Sequence, residues 1–79
     1  MLTIIQRCPT SMLIHNHTDA VKAGLIEQGF LVEVHDGAIG QFAVEVDGQI
    51  VAEKMGTVLP TVKQVGSAVQ NASLVGAEA

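Results

Sequence analysis

Several residue types that particular functions require are rare or missing in this chain. Its 79 residues include one cysteine, two phenylalanines and no tryptophan or tyrosine, and four lysines and arginines stand against eight aspartates and glutamates. Proteins that bind single-stranded nucleic acid need aromatic platforms, and phosphate backbones and anionic membranes attract basic surfaces. With a net charge of −4, we expect neither a nucleic-acid partner nor a membrane partner.

The single cysteine, Cys8, cannot form an internal disulfide, so the disulfide framework of small secreted domains is excluded. A cytoplasmic location is the expectation, because no signal peptide is recognisable and no segment approaches the ~20 apolar residues of a membrane span. The composition, 48% hydrophobic and 15% charged, is typical of one compact domain. A core this small is only marginally stable, which also makes a homodimer an expectation.

Hydrophobic periodicity predicts four strands and two helices. Alternation and β-branched residues place the strands at residues 2–6, 30–35, 42–46 and 50–53. The dipeptide Asp47-Gly48 predicts a β-hairpin with a type I′ turn between the last two. Pro60 is expected to open the second helix, whose apolar stripe consists of Val62, Val65, Val69 and Ala72.

The first helix has two interpretations. Pro9 suits a first helical turn, apolar residues from Leu13 to Ile26 recur at roughly helical spacing, and Gly29 is a plausible end. Alternatively, Thr18 or Asp19 caps a shorter helix and leaves residues 9–17 as a loop.

The resulting order, β-α-β-β-β-α, predicts an α+β fold with a four-stranded mixed sheet. The first two strands flank a helix and should be parallel, whereas the hairpin adds antiparallel strands. Both helices must cover the sheet to bury their apolar stripes. We expect this minimal thioredoxin-like arrangement over residues 1–72, with a frayed C-terminal tail at residues 73–79.

Cys8 is predicted to lie between the first strand and the first helix. The unpaired N–H groups and the positive dipole of a helix start favour thiolate and lower a cysteine pKa below its free value of ~8.5. Position 11, where a C-x-x-C motif carries its second cysteine, is Ser11, so redox chemistry here would use one thiol. The alternative is that Cys8 is simply a half-buried, small apolar residue.

Two stretches resemble the selenoprotein W-like (Rdx) family. Residues 40–54 match its Gly-x-Phe-x-Val-x-Val-Asp-Gly hairpin with a lysine at the end, and Leu59-Pro60 matches the Phe/Leu-Pro step into its last helix. The family carries C-x-x-C or C-x-x-selenocysteine after the first strand, where this chain has Cys8-Pro9-Thr10-Ser11. The resemblance implies a thioredoxin-like fold and an ancestry among thiol oxidoreductases, and Ser11 departs from it.

The candidate catalytic site therefore consists of Cys8 and Ser11, with Arg7 as a binding residue. Cys8 would form a mixed disulfide with glutathione or a partner protein, to be released by a second external thiol. Arg7 would stabilise the thiolate or bind a glutathione carboxylate, unless it is only a surface charge. Ser11 is alternatively a hydrogen-bonding residue of the first helical turn. No cofactor is expected besides glutathione as a co-substrate.

Two other hypotheses compete with a redox function. The loss of the second cysteine suggests a non-catalytic interaction module that kept the fold and lost the chemistry. A metal site would require His15 and His17 to converge, with Cys8 or His35, in a loop. Zinc sites usually show tighter paired spacings, so no metal is expected.

Overall fold

The computed structural model describes residues 2–78, with side chains for residues 2–73, and it confirms the predicted order of elements. The elements are β1 (Leu2–Arg7), α1 (Met12–Glu27), β2 (Leu31–Asp36), β3 (Phe42–Val46), β4 (Gln49–Glu53) and α2 (Val62–Glu78). The sheet has the order β2-β1-β3-β4, in which β1 and β2 are parallel and the other two pairs are antiparallel. This α+β arrangement is compatible with a thioredoxin-like fold.

One face of the sheet packs against both helices and forms the core. Because side chains alternate along a strand, Ile5 on β1 and Val44 and Val46 on β3 all point to this face. The core cluster combines them with the buried side chains Cys8, Ile14, Val21, Leu25, Phe42, Val65 and Val69. No third layer is available in a chain of this length, so residues of the opposite face, such as Glu33 and Ile50, remain exposed.

The hairpin between β3 and β4 contains the predicted turn. Asp47 and Gly48 both have positive φ, 53° and 82°, which is what a type I′ turn requires at its two central residues. Val46 and Gln49 pair directly across it. The prediction from the Asp-Gly dipeptide is confirmed.

The first helix is longer than the shorter interpretation allowed, and the alternative loop at residues 9–17 is wrong. α1 begins at Met12, and Ser11 is its N-cap, with Oγ accepting a hydrogen bond from the N–H of Ile14 at 3.3 Å. Pro9 therefore precedes the helix rather than lying in its first turn. Gly29, with φ of 93°, follows the last turn, so the predicted end is confirmed.

The second helix begins two residues after Pro60. Thr61 forms a reciprocal capping box with Gln64: the Thr61 Oγ1 accepts from the Gln64 N–H at 3.0 Å, and the Gln64 Oε1 accepts from the Thr61 N–H at 2.9 Å. Pro60 therefore lies before the cap and does not open the helix. The backbone stays helical to Glu78, beyond the predicted domain end at residue 72. The predicted fraying of residues 73–79 falls largely outside the described side chains and stays a prediction.

The two helices approach each other closely at two glycines. A Cβ atom built on Gly24 of α1 would lie 2.9 Å from Val62 Cγ1, whereas one built on Gly66 of α2 would lie 2.7 Å from the Nε2 of Gln28. Val62 is a stiff β-branched residue, but the end of the exposed Gln28 side chain can move. The two contacts therefore differ in how easily they accept an added methyl group.

Two buried threonines differ in how their hydroxyl groups are satisfied. Thr18 on α1 donates to the carbonyl of Ile14 at 2.7 Å. Thr3 on β1 is fully buried, and its Oγ1 has no hydrogen-bond partner within the described residues. An unpaired buried hydroxyl costs stability, so Thr3 weakens the core.

Across residues 2–78, neither helix is long and apolar enough to cross a membrane.

Candidate functional site

Cys8 lies at the edge of the sheet where several chain segments meet. β1 and β2 end there, β3 begins there, and β4 ends there, so the residues following β1, preceding β3 and following β4 come together. The Cys8 N–H donates to the carbonyl of Gln41 at 2.7 Å, which joins the end of β1 to the loop before β3. This loop is folded tightly by a bond of 3.0 Å from the Gln41 N–H to the Ala38 carbonyl.

Hydrogen bonds to the sulfur favour the thiolate form of Cys8. The Thr10 hydroxyl, with Oγ1 at 3.4 Å from Sγ, makes the largest contribution, followed by the backbone N–H groups of Gly40, Thr10 and Ser11. Desolvation by burial acts in the opposite direction. The balance lowers the pKa of Cys8 from 9.0 to about 7, so the thiolate form is accessible at neutral pH.

Gly40 suits this site because its backbone has a positive φ, which glycine adopts without strain. Its φ of 79° lies in the left-handed region that L-residues with a Cβ rarely adopt. The backbone N–H of this residue is one of the groups that lower the pKa of Cys8. The peptide bonds of residues 2–78 are all trans, so no cis-proline stands before β3 as it does in thioredoxins.

A cavity of about 440 Å³ opens beside the sulfur. Its lining comes from the turn before α1, the start of α1, the loop before β3 and the segment after β4: Cys8, Thr10, Ser11, Leu13, Ile14, Ile39, Gly40, Lys54, Thr57 and Leu59. Leu13 and Ile39 are 72% and 78% exposed and give the cavity an apolar rim. Cys8 itself is only 2% exposed, so the sulfur lies at the bottom of this cavity.

The side chains of the other two predicted site residues, Ser11 and Arg7, are bonded to groups other than the Cys8 sulfur. Ser11 caps α1 with its hydroxyl oxygen, as the alternative interpretation of this residue predicted, and reaches the sulfur through its backbone N–H. Arg7 forms an ion pair with Asp36, with Nη1 and Oδ1 at 2.9 Å, across the parallel pair of strands. Arg7 does not line the cavity. Its predicted role in binding a glutathione carboxylate stays a prediction.

The histidines do not converge. The Nε2 of His17 donates to the carbonyl of Pro60 at 2.6 Å, and its ring meets Phe42 edge-to-face with 5.2 Å between centroids. His35 contacts Glu33 on the open face of the sheet. In the part of the chain that the structure describes, no three metal-ligating side chains are grouped so that they could hold an ion.

Sequence reasoning missed three residues of the site: Thr10, Gly40 and Lys54. Thr10 carries a signal, because a hydroxyl two residues after a cysteine at a helix start is well placed to donate to the sulfur. Gly40 and Lys54 stand at the two ends of the hairpin motif in the family resemblance, but their spacing in sequence did not place them at Cys8, since both reach the site from segments more than thirty residues further along the chain.

No family model, curated protein or solved structure matches this chain.

Proposed function

We propose that this protein is a monothiol redox protein that exchanges disulfides through Cys8. The observation that carries the proposal is the set of hydrogen bonds to the Cys8 sulfur, which lowers its pKa to about 7 at the bottom of an open cavity. The thiolate is the nucleophile in disulfide exchange, and an attacking thiol works best when its pKa is near the ambient pH. The resemblance to the selenoprotein W-like family supports the same chemistry.

The reaction has two balanced steps. The Cys8 thiolate attacks one sulfur of a disulfide, forms a mixed disulfide and releases the other sulfur as a thiolate. Ser11 occupies the position of a resolving thiol but its oxygen caps α1, so resolution comes from outside. An external thiolate attacks the partner sulfur, restores the Cys8 thiolate and leaves with the partner as a new disulfide. Glutathione and its disulfide satisfy both steps.

The low exposure of Cys8 sets a condition on the substrate. A disulfide has to approach Sγ through the cavity, between the apolar rim and Lys54. We expect small disulfides to react faster than bulky ones.

Intact-mass spectrometry tests the proposal directly. The folded protein is incubated with oxidised glutathione at pH 7, then with reduced glutathione, and the mixed disulfide is followed in both directions. Because Cys8 is the only cysteine, any adduct reports on this site. The Cys8→Ser variant is the blank, and protein unfolded in urea is the positive control because unfolding exposes the thiol. Adduct formation only in urea would refute the redox proposal.

The alternative is a non-catalytic interaction module, and one observation favours it. Leu13 and Ile39 are exposed on the rim of the cavity, and Met55 and Val58 are exposed in the segment after β4, whose neighbouring residues Lys54, Thr57 and Leu59 line the cavity. Such a concentration of apolar side chains is typical of contact surfaces, including those of homodimers. Sedimentation of the wild type and of Ile39→Asp tests it: self-association that the substitution abolishes, with unchanged disulfide exchange, would support the module.

A further inference from the structure

Lys54 stands beside the thiol although it is 46 residues away in sequence. Its N–H donates to the carbonyl of Phe42 at 2.8 Å, which holds the backbone of Lys54 at the end of the hairpin. A Cβ atom built on Gly40 would lie 3.6 Å from Lys54 Nζ, and Gly40 lines the same cavity as Cys8. Lys54 and Cys8 therefore lie on the wall of the same cavity of about 440 Å³.

Apart from the Cys8 thiolate, the ammonium group of Lys54 is the single charge among the residues that line the cavity. The ten lining residues include no acidic side chain, although the chain as a whole has a net charge of −4. Within the described residues, Lys54 forms no ion pair and no side-chain hydrogen bond, whereas Arg7 is paired with Asp36. Lys54 is also absent from the groups that lower the pKa of Cys8. Its charge therefore has no partner among the described residues and is available to an anionic ligand in the cavity.

We propose that Lys54 binds a carboxylate of the substrate, so that Cys8 reacts preferentially with small disulfides that carry a carboxylate near the sulfur. This inference rests on the proposed function and identifies its substrate class. The geometry suits such a ligand. The new S–S bond spans about 2 Å, the cysteine and one extended residue of the ligand span about 6 Å, and an ammonium–carboxylate contact adds about 2.8 Å. A ligand with this reach of about 11 Å can span one cavity from Cys8 to Lys54.

The bond changes are those of the first exchange step. The thiolate of Cys8 attacks the nearer sulfur, the S–S bond of the substrate breaks, and its electron pair leaves on the departing thiolate. Lys54 exchanges no proton in this step. It orients the disulfide and partly neutralises the negative charge that a carboxylate brings next to a thiolate.

Three disulfides of different charge test the proposal: anionic oxidised glutathione, neutral 2-hydroxyethyl disulfide and cationic cystamine. We expect Lys54→Gln to slow the reaction with oxidised glutathione about three- to tenfold and to leave the neutral disulfide within about twofold. Lys54→Glu should slow oxidised glutathione further and accelerate cystamine. Lys63→Gln is the matched control, because it removes an exposed lysine on α2 outside the cavity. The difference between anionic and neutral substrates should shrink in high salt.

The outcomes separate this inference from the proposed function. If the folded wild type reacts with none of the three disulfides, the proposed function fails. If Lys54→Gln slows all three equally, or shifts the pH midpoint of the Cys8 reaction, Lys54 acts on the thiol or the fold and the inference alone is overturned. An acidic peptide that carries a mixed disulfide is tested as a further substrate. A peptide that reacts faster than oxidised glutathione, with the same dependence on Lys54, would identify peptides as the source of the carboxylate.

Discussion

Replacing Thr10 by valine removes the hydroxyl group that contributes most to the low pKa of Cys8. Valine has nearly the same shape, so the cavity keeps its wall while the sulfur loses the donor now 3.4 Å away. The backbone N–H groups of Gly40, Ser11 and residue 10 itself remain, so we expect the pKa to rise from about 7 only part of the way to 9.0. A rise of about one pH unit would reduce the thiolate fraction at pH 7 from about one half to about one tenth.

The pH midpoint of the reaction is a better readout than the rate at pH 7. A thiolate of higher pKa is a better nucleophile, and a Brønsted slope of about 0.45 predicts a gain of about threefold per pH unit. This gain offsets most of the roughly fivefold loss of thiolate, so the net rate at pH 7 should fall only about twofold. The assay measures the rate constant with 2-hydroxyethyl disulfide between about pH 5 and pH 10. In the plot of rate constant against pH, Thr10→Val should have its midpoint at a higher pH than the wild type. It should also reach a higher rate constant at high pH.

Thr57→Val is the matched control for this experiment. Thr57 lines the same cavity, but it contributes nothing to the pKa of Cys8. Its replacement should leave the midpoint at about 7. A wild-type midpoint of about 8.5, the value of a free thiol, or identical midpoints for wild type and Thr10→Val, would refute the reasoning.

The same pKa predicts how the stability of the fold depends on pH. The pKa of Cys8 is lower in the folded protein than in the unfolded chain, so the unfolded chain binds more protons between about pH 7 and pH 9. The stabilisation from this group is therefore complete above about pH 9 and is lost as the pH falls through about 7. The melting temperature of the wild type should rise from pH 7 to pH 9 relative to that of Cys8→Ser. Parallel curves for the two proteins would contradict this prediction.

Three further predictions concern stability and are checked by urea and thermal unfolding. Thr3→Val, which removes an unpaired buried hydroxyl, should stabilise the fold by about 1 kcal/mol, or roughly 4–8 °C in Tm, whereas Thr18→Val should be neutral or destabilising by up to about 1 kcal/mol. Equal effects of the two substitutions would count against the difference in hydrogen bonding. Gly66→Ala should stabilise α2 by about 0.5–1 kcal/mol. The free energy of unfolding of Gly24→Ala should be at least about 1 kcal/mol lower than that of Gly66→Ala, because its new methyl group meets a stiff valine. His17→Phe keeps an aromatic ring but loses the hydrogen bond to the segment before α2, at a cost of about 1 kcal/mol; unchanged stability would show that this bond contributes nothing.

Most of the fold could be predicted because its signals are local. Alternating apolar residues marked the strands, and Asp47-Gly48 marked the turn, since both depend only on neighbours in sequence. The starts of the helices were less predictable. Pro9 and Pro60 both precede the N-caps, and only the hydrogen bonds of Ser11 and Thr61 define where the helices begin. A proline suits several positions around a helix start, so its identity alone does not choose among them.

By itself the sequence determined that any thiol chemistry here uses a single cysteine, and that this cysteine follows the first strand. Only the tertiary structure decided what surrounds its sulfur. Gly40 and Lys54 reach Cys8 because β1 pairs with β3 and β3 pairs with β4, which brings distant segments to one edge of the sheet. A pKa and a binding cavity depend on every atom within a few ångströms, whatever its position in the chain, and those neighbours exist only once the sheet has formed.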